Sequence, residues 1–262
     1  ASATDPENAT ISYTLSGTGS EKFSVSSDGT VTLSSALDYE STTSYNLTLT
    51  ASDGSNTATN NLVFSVSNIN EAVTLSTSVA SSSFSEGTAT GTTIATASAT
   101  DPENATISYT LSGTGSDKFS VSSDGTITLT SGLDYESISS YSLTLTASDG
   151  TNSTSESIAF SVGDVNESLT LSTTLAASSF SEGTATGTTI ATSSASDPES
   201  ATITYTLSGT GSEKFSVTSS GTVTLASTLD YETKNSYSLT LTASDGTNQT
   251  QENIAFNISD VA

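Results

Sequence analysis

Acidic residues recur along this chain in a fixed order and at a fixed interval. Asp-Pro-Glu stands at Asp5, Pro6 and Glu7, and again from Asp101 and from Asp197. Asp-Tyr-Glu begins at Asp38, Asp134 and Asp230, ending on Glu40, Glu136 and Glu232. An Ala-Ser-Asp-Gly motif places Asp53, Asp149 and Asp245, and a fourth series places Asn68, Asp164 and Asp260. Every series repeats after 96 residues (5, 101, 197). Two tetrapeptides mark the seams: Asn68-Ile69-Asn70-Glu71 and Asp164-Val165-Asn166-Glu167.

Paired carboxylates can hydrolyse glycosides or hold a cation. Catalysis is the weaker reading. The chain has no His to serve as a general base or to partner a nucleophilic Ser, and an active site is not expected in identical copies in every repeat. Cation binding follows from electrostatics. Gathering several carboxylates at one pole of a small domain costs about 4 kcal/mol per contacting pair at an effective dielectric near 20. A divalent ion removes that cost. Ca²⁺ fits best, because it takes about six to eight oxygens in flexible geometry from carboxylates, amides and carbonyls. Zinc and copper favour His or Cys, both absent, and Mg²⁺ usually keeps several waters. Neither the EF-hand loop nor the Gly-rich nonapeptide repeat occurs, so another calcium architecture is required.

The interval also defines the organisation. A period near 96 is too long for a solenoid unit and suits a self-contained small domain, so the chain reads as a tandem array. Its expected modules are 1–70, 71–166 and 167–262. The chain carries 28 acidic residues against four Lys and Arg, a formal charge of −24. That balance argues against nucleic acid and anionic membrane surfaces as partners, since both need basic footprints. No run of 18 apolar residues exists, and no charged-then-apolar leader opens the sequence, so no segment reads as inserting into a membrane or targeting the chain. Cysteine is absent, so disulfides cannot brace the modules.

Ser/Thr-rich acidic sequence can be disordered, but period-two alternation opposes that here. Tyr141, Leu143, Leu145 and Ala147 alternate with Ser142, Thr144 and Thr146, which puts the apolar side chains on one sheet face. Similar alternation predicts strands near 83–86, 94–98, 106–111, 118–122, 126–130, 140–147 and 155–163, and no helix. Asp124-Gly125 reads as a hairpin turn. Seven short strands per module describe an all-β Greek-key sandwich of immunoglobulin-like type, here in tandem as a linear rod. The expected core of the middle module is Ile94, Tyr109, Leu111, Phe119, Val121, Leu129, Leu133, Tyr141, Leu143, Leu145, Phe160 and Val162, with counterparts 96 residues away. Glu21, Asp28, Asp117, Glu156, Glu213 and Glu252 read as solvated charges, Asp124 as a turn residue, and Lys22, Lys118 and Lys214 as solvated stems.

The motifs in order resemble the cadherin repeats, especially those of bacterial surface adhesins. The resemblance rests on "FSEGTATGTTIA", "SATDPEN" or "SASDPES", "LDYE", "ASDG" and "DVNE", and it covers nearly the whole chain. It implies calcium held between successive modules. For the first junction it implies ligands at Asp38, Glu40, Asn68, Asn70, Glu71, Asp101, Glu103 and Asp149. For the second it implies Glu86, Asp134, Glu136, Asp164, Asn166, Glu167, Asp197, Glu199 and Asp245, with the carbonyls of Val165 and Ser168. Glu182, Asp230, Glu232 and Asp260 repeat the pattern in the last module. The sequence departs from the family in having Glu71 and Glu167 fourth in the linker, Asn68 for the first Asp, Asp-x-Glu for Asp-x-Asp, and Tyr135 for Arg. These departures bear on the number of ions.

The favoured reading is a calcium-stiffened spacer of a long extracellular adhesin or surface filament, with neighbouring repeats or adjacent subunits as partners. The alternatives are a ligand- or carbohydrate-binding module and a homophilic or strand-donating subunit of an extracellular fibre. The first module lacks counterparts of Glu71 to Thr96, Glu86 among them. An open groove is therefore expected there, filled by a preceding repeat or by a strand from a neighbour.

Overall fold

The computed structural model describes residues 1–261; Ala262, the last residue of the expected third module, lies outside the described residues. Its first repeat contains β1 (Ser12–Ser16), β2 (Phe23–Val25), β3 (Val31–Leu33), β4 (Ser44–Ser52) and β5 (Thr57–Ser65). The second adds β6 (Thr74–Val79), β7 (Ser83–Ser85), β8 (Thr93–Thr100), β9 (Ser108–Ser112), β10 (Phe119–Val121), β11 (Thr126–Leu129), β12 (Ser140–Ser148) and β13 (Ser153–Gly163). The third continues with β14 (Thr170–Leu175), β15 (Ser179–Ser181), β16 (Thr189–Ser196), β17 (Thr204–Ser208), β18 (Phe215–Val217), β19 (Thr222–Leu225), β20 (Ser236–Ser244) and β21 (Gln249–Ser259). The molecule is all-β, a chain of tandem sandwich repeats. Among the described residues no helix is long and apolar enough to cross a membrane.

The strands divide between two compact units. One comprises Ala1–Ala80, Gly91–Thr130 and Ser142–Ala159; the other comprises Ser81–Thr90, Ser131–Tyr141 and the chain from Phe160 onward. The third repeat lies whole in the second unit and shows the architecture in full. One sheet runs β14-β16-β19-β18 and the other β15-β21-β20-β17. Along β20, Tyr237, Leu239, Leu241 and Ala243 are buried, while the Ser and Thr residues between them face outward or lie half-buried. These side chains meet Ile190, Val223, Leu225, Ile254 and Phe256 in one core. Phe215 packs edge-on against Tyr237 at 5.0 Å between centroids, and Tyr237 stacks on Phe256 at 5.5 Å. Each such side chain contributes roughly 1.5–3 kcal/mol on burial, which is how a chain this polar folds. The hairpin before β19 turns on Gly221 at φ +81, where a Cβ would stand 2.6 Å from the Ser193 carbonyl oxygen. Ser220 occupies the place of Asp124 in this turn, so glycine carries the requirement and the acid does not.

The second repeat has the same elements. In the first unit β6, β8, β11 and β10 form one sheet in the order β10-β11-β8-β6, and β9 pairs antiparallel with β12. In the second unit β7 pairs parallel with the end of β13, Phe84 opposite Val162. Three differences from the sequence reading stand out. β6 was not foreseen, because Thr77 occupies an inward position that an apolar residue would have revealed. Short 3-10 turns at Ser20–Lys22, Ser116–Lys118 and Ser212–Lys214 replace the expected strand starts. Tyr109, Leu111 and Val121 are half-buried, whereas Ile127, Ile158, Ala95 and Ala147 join the core. Ile94 and Ala95 are buried in succession because the register slips at this point, Ile127 facing Ala95 and Thr128 facing Thr93.

The first repeat departs further. Tyr45, Leu47 and Leu49 are buried as their counterparts are. Leu33, however, is 54% exposed where Leu129 and Leu225 are each 1% exposed. The reason is pairing: β19 is covered by β16, while β3 pairs with β2 alone among the described residues. The lysines also differ from the reading as solvated stems. Lys22 donates to the Ala36 carbonyl at 3.4 Å, and Lys214 to that of Thr228 at 2.8 Å.

Candidate metal centre

The carboxylates collect at strand ends, each held by its own turn. Asp38 accepts the Ser41 N–H and hydroxyl, Asp134 those of Ser137, and Asp230 those of Thr233. These bonds hold Asp38 and Asp230 below the usual carboxylate range, the hydroxyl of Ser41 or Thr233 being the largest cause. The turn therefore presents the Asp of Asp-Tyr-Glu in a preset position.

In the second unit Glu86 is 8% exposed and ties two segments together. Its Oε2 accepts the Tyr135 N–H at 2.7 Å, and its Oε1 accepts the Val165 N–H at 2.5 Å. Oxygens of Glu86, Asp134 and Glu136 lie within 4.8 Å of one another, and so do those of Glu136, Asp164 and Glu199. Glu136 thus belongs to both groups. Desolvation raises its pKa, and the charges of Glu86, Asp164 and Glu199 raise it further. Glu167 donates its N–H to Glu199 Oε1 at 2.9 Å, with its own carboxyl against the same group. Asn166 donates to Asp245 Oδ2 at 3.1 Å. Desolvation works to raise Asp245, but the Asn166 bond and the N–H groups of Thr247 and Asn248 hold it low.

The first unit repeats this scheme with a smaller set. Glu40, Glu71 and Glu103 bring oxygens within 4.8 Å of one another. Asn68 lines the same surface depression as Glu40 and Glu103. Asn70 donates to Asp149 Oδ2 at 2.7 Å, and that bond is the main cause of the low Asp149 pKa. Asp38 stays outside the cluster of three. Near the end of the chain Glu182, Asp230 and Glu232 form a third such set, with Glu182 accepting N–H groups from Tyr231 and Val261. Asp260 lies outside that set of three, as Asp101, Asp149, Asp197 and Asp245 lie outside theirs.

Two residues escaped the sequence reading. Asn152 Nδ2 donates to the carbonyls of Asn70 and Glu71, and Asn248 Nδ2 to those of Asn166 and Glu167. They pin each linker to the following repeat. Their signal was present, since Asn56, Asn152 and Asn248 keep the same interval as the acids.

The donor set suits a hard cation. Asp101 Oδ2, Glu103 Oε2, Glu167 Oε2, Asp197 Oδ2 and Glu199 Oε2 are buried with no hydrogen-bond partner among the described residues. Buried polar atoms are ordinarily paired, so these carboxylate oxygens, four of them in matching places in two repeats (Asp101 with Asp197, Glu103 with Glu199), have the chemistry of cation ligands. The facing carboxyls of Glu103 and Glu199 push Glu71 and Glu167 up to about 7.

The Cadherin domain family matches residues 1–67, 80–162 and 177–258. Among solved structures, the chain is similar to the protocadherin gamma B7 EC3-6 cis-dimer structure, at 25% identity and a TM-score of 0.61, over 97% of this chain and 67% of that one. Mouse cadherin-23 EC22-24 is 27% identical with a TM-score of 0.58, over 98% of this chain and 89% of that one. Extracellular cadherin domains 1-5 of protocadherin gamma B2 are 24% identical with a TM-score of 0.66; the chain is covered over 98% but spans 54% of that protein. Comparison with curated protein sequences returned no match.

Proposed function

Because the chain belongs to the cadherin domain family, whose repeats are extracellular adhesion modules that characteristically bind calcium between them, we propose that it is a calcium-rigidified extracellular spacer. In this reading it forms part of a long adhesin or surface filament, with repeat seams at 70/71 and 166/167. The bare, buried oxygens of Glu103 and Glu199 beside Glu71 and Glu167 carry the reading. At the first seam Asp38, Glu40, Asn68, Asn70, Glu71, Asp101, Glu103 and Asp149 would hold the ions. At the second, Glu86, Asp134, Glu136, Asp164, Asn166, Glu167, Asp197, Glu199 and Asp245 would do so. Bound calcium neutralises the clustered charge. The chain's own residues supply the rest: Glu86 fixes the Asp-Tyr-Glu loop to the linker, and Asn152 and Asn248 fix the linkers to the following repeats.

Ligand that binds the folded state alone adds RT ln(1 + [L]/Kd), about 2.7 kcal/mol at a hundredfold excess. Short linkers otherwise leave repeat orientation free. A chelator is therefore expected to lower the melting temperature and shorten the mean end-to-end distance in small-angle scattering. Curves unchanged by chelator would overturn the proposal.

A further inference from the structure

The linker Asp164-Val165-Asn166-Glu167 lies whole within the second unit and is held from both of its ends. The second repeat holds the first half. Gly163, the last residue of β13, accepts the Glu86 N–H at 3.0 Å, and the Val165 N–H closes on Glu86 Oε1 at 2.5 Å. The third repeat holds the second half. Glu199 Oε1 accepts the Glu167 N–H at 2.9 Å, Asn248 Nδ2 donates to the Glu167 carbonyl at 2.7 Å, and Asn166 Nδ2 reaches Asp245 at 3.1 Å. Leu169, just beyond, is buried. Hydrogen bonds to carboxylates are roughly twice as strong as neutral ones, so neither hold is incidental.

Each hold recurs elsewhere in the chain. At the first seam Asn152 donates to the Asn70 and Glu71 carbonyls, Asn70 donates to Asp149, and the Glu71 N–H goes to Glu103. Val73 is buried next. Near the end of the chain Glu182 accepts the Val261 N–H and donates its own N–H to the Ser259 carbonyl. The division of the linker is therefore a property of the repeated motif.

Between the two holds lie three soft torsions, φ and ψ of Val165 and φ of Asn166, because the peptide bond joining the residues is planar. Val165 is 46% exposed, so packing restrains these torsions little. Charge acts on them directly. Glu136 on the near side, Glu199 on the far side and Asp164 between them bring oxygens within 4.8 Å of one another. Without a cation these like charges push the two sides apart.

We propose that Val165–Asn166 is the pivot of the second seam in the metal-free chain, and that the linker from Asn166 onward moves with the third repeat. The pivot belongs to the chain without metal and does not depend on the calcium reading above. Cysteine is absent, so introduced pairs carry the only spin labels. Ser140→Cys with Thr206→Cys spans the pivot; Ser168→Cys with Thr206→Cys joins the linker to the third repeat. In chelator, dipolar distance distributions of the full chain should be about twofold broader for the first pair than for the second. Val165→Gly should broaden the first pair alone, glycine being the freer residue. Asn248→Ala should broaden the second pair about 1.5-fold by removing its hold on the linker. Two broad distributions in the parent sequence would overturn the proposal by showing a linker loose from both repeats. Two narrow ones would overturn it by showing a seam rigid without metal. A second pair unmoved by Asn248→Ala would refute the hold assigned to the third repeat; should that variant unfold, the two pairs in the parent sequence still decide. Calcium chloride should narrow the first pair, and if it does not, the calcium reading fails while the pivot stands.

Discussion

Glu167 donates its backbone N–H to Glu199 Oε1 at 2.9 Å and sets its own carboxyl against the same carboxylate. Glu71 and Glu103 repeat the pairing at 3.3 Å. The pairing raises Glu71 and Glu167 from an ordinary 4.5 to about 7 in the metal-free chain. A carboxyl raised on folding contributes stability that is complete below the lower value and lost as pH climbs through the upper one. The chelated protein should therefore melt at a lower temperature at pH 7.5 than at pH 5. Calcium affinity should rise over the same window, with protons released on binding. A chelated melting temperature that is flat or rising across it would rule out the shared proton.

Glu86 should be more costly to remove than any other acid of its cluster. It accepts two backbone N–H groups, from Tyr135 and Val165, while mostly buried. Glu86→Ala leaves both unpaired and should cost about 2–4 kcal/mol in chelator. Glu86→Gln keeps acceptor capacity and should cost less there, yet still weaken calcium binding. Denaturant melts with and without calcium separate the two effects; equal costs in chelator would contradict the tying role.

The two seams should differ in affinity. Asn68 is neutral where Asp164 is charged, and among the described residues the acids of the first seam form one carboxylate group where those of the second form two that share Glu136. Ligand charge helps set calcium affinity. Asn68→Asp should tighten the weaker calorimetric phase several-fold. An unchanged phase would mean that residue 68 does not face the ion.

The open edge of β3 should accept a strand. Leu33 is exposed where β8 and β16 cover the strands of its counterparts Leu129 and Leu225. A peptide copying Ala72 to Thr96 should bind the first repeat, raise its melting temperature and protect the β3 amides from exchange. Leu33→Asp should abolish the effect. A peptide without influence on the intact chain would show that this edge needs no partner strand.

Much of this was legible in the sequence. Period-two alternation placed β12 and β13 because Tyr141, Leu143 and Leu145 have no polar substitute on the buried face. The interval of 96 located every acid series, since only a repeated module requires such regularity. Sequence by itself determined the class, the repeat and the kinds of ligand atoms present.

Tertiary structure decided what alternation cannot express. Ile94 and Ala95 are buried together because a register slip turns neighbouring residues to one side, and no local pattern announces it. β6 forms on pairing with β8, register Leu75 to Ala99, although its own sequence is mostly hydroxyl side chains. Glu86 meets Val165, and Asn152 meets Asn70, across about 80 residues of chain, so only the folded sandwich makes these acids and amides neighbours. Local sequence sets which way a side chain points; which distant backbone N–H it finds there is set by the packing of sheets.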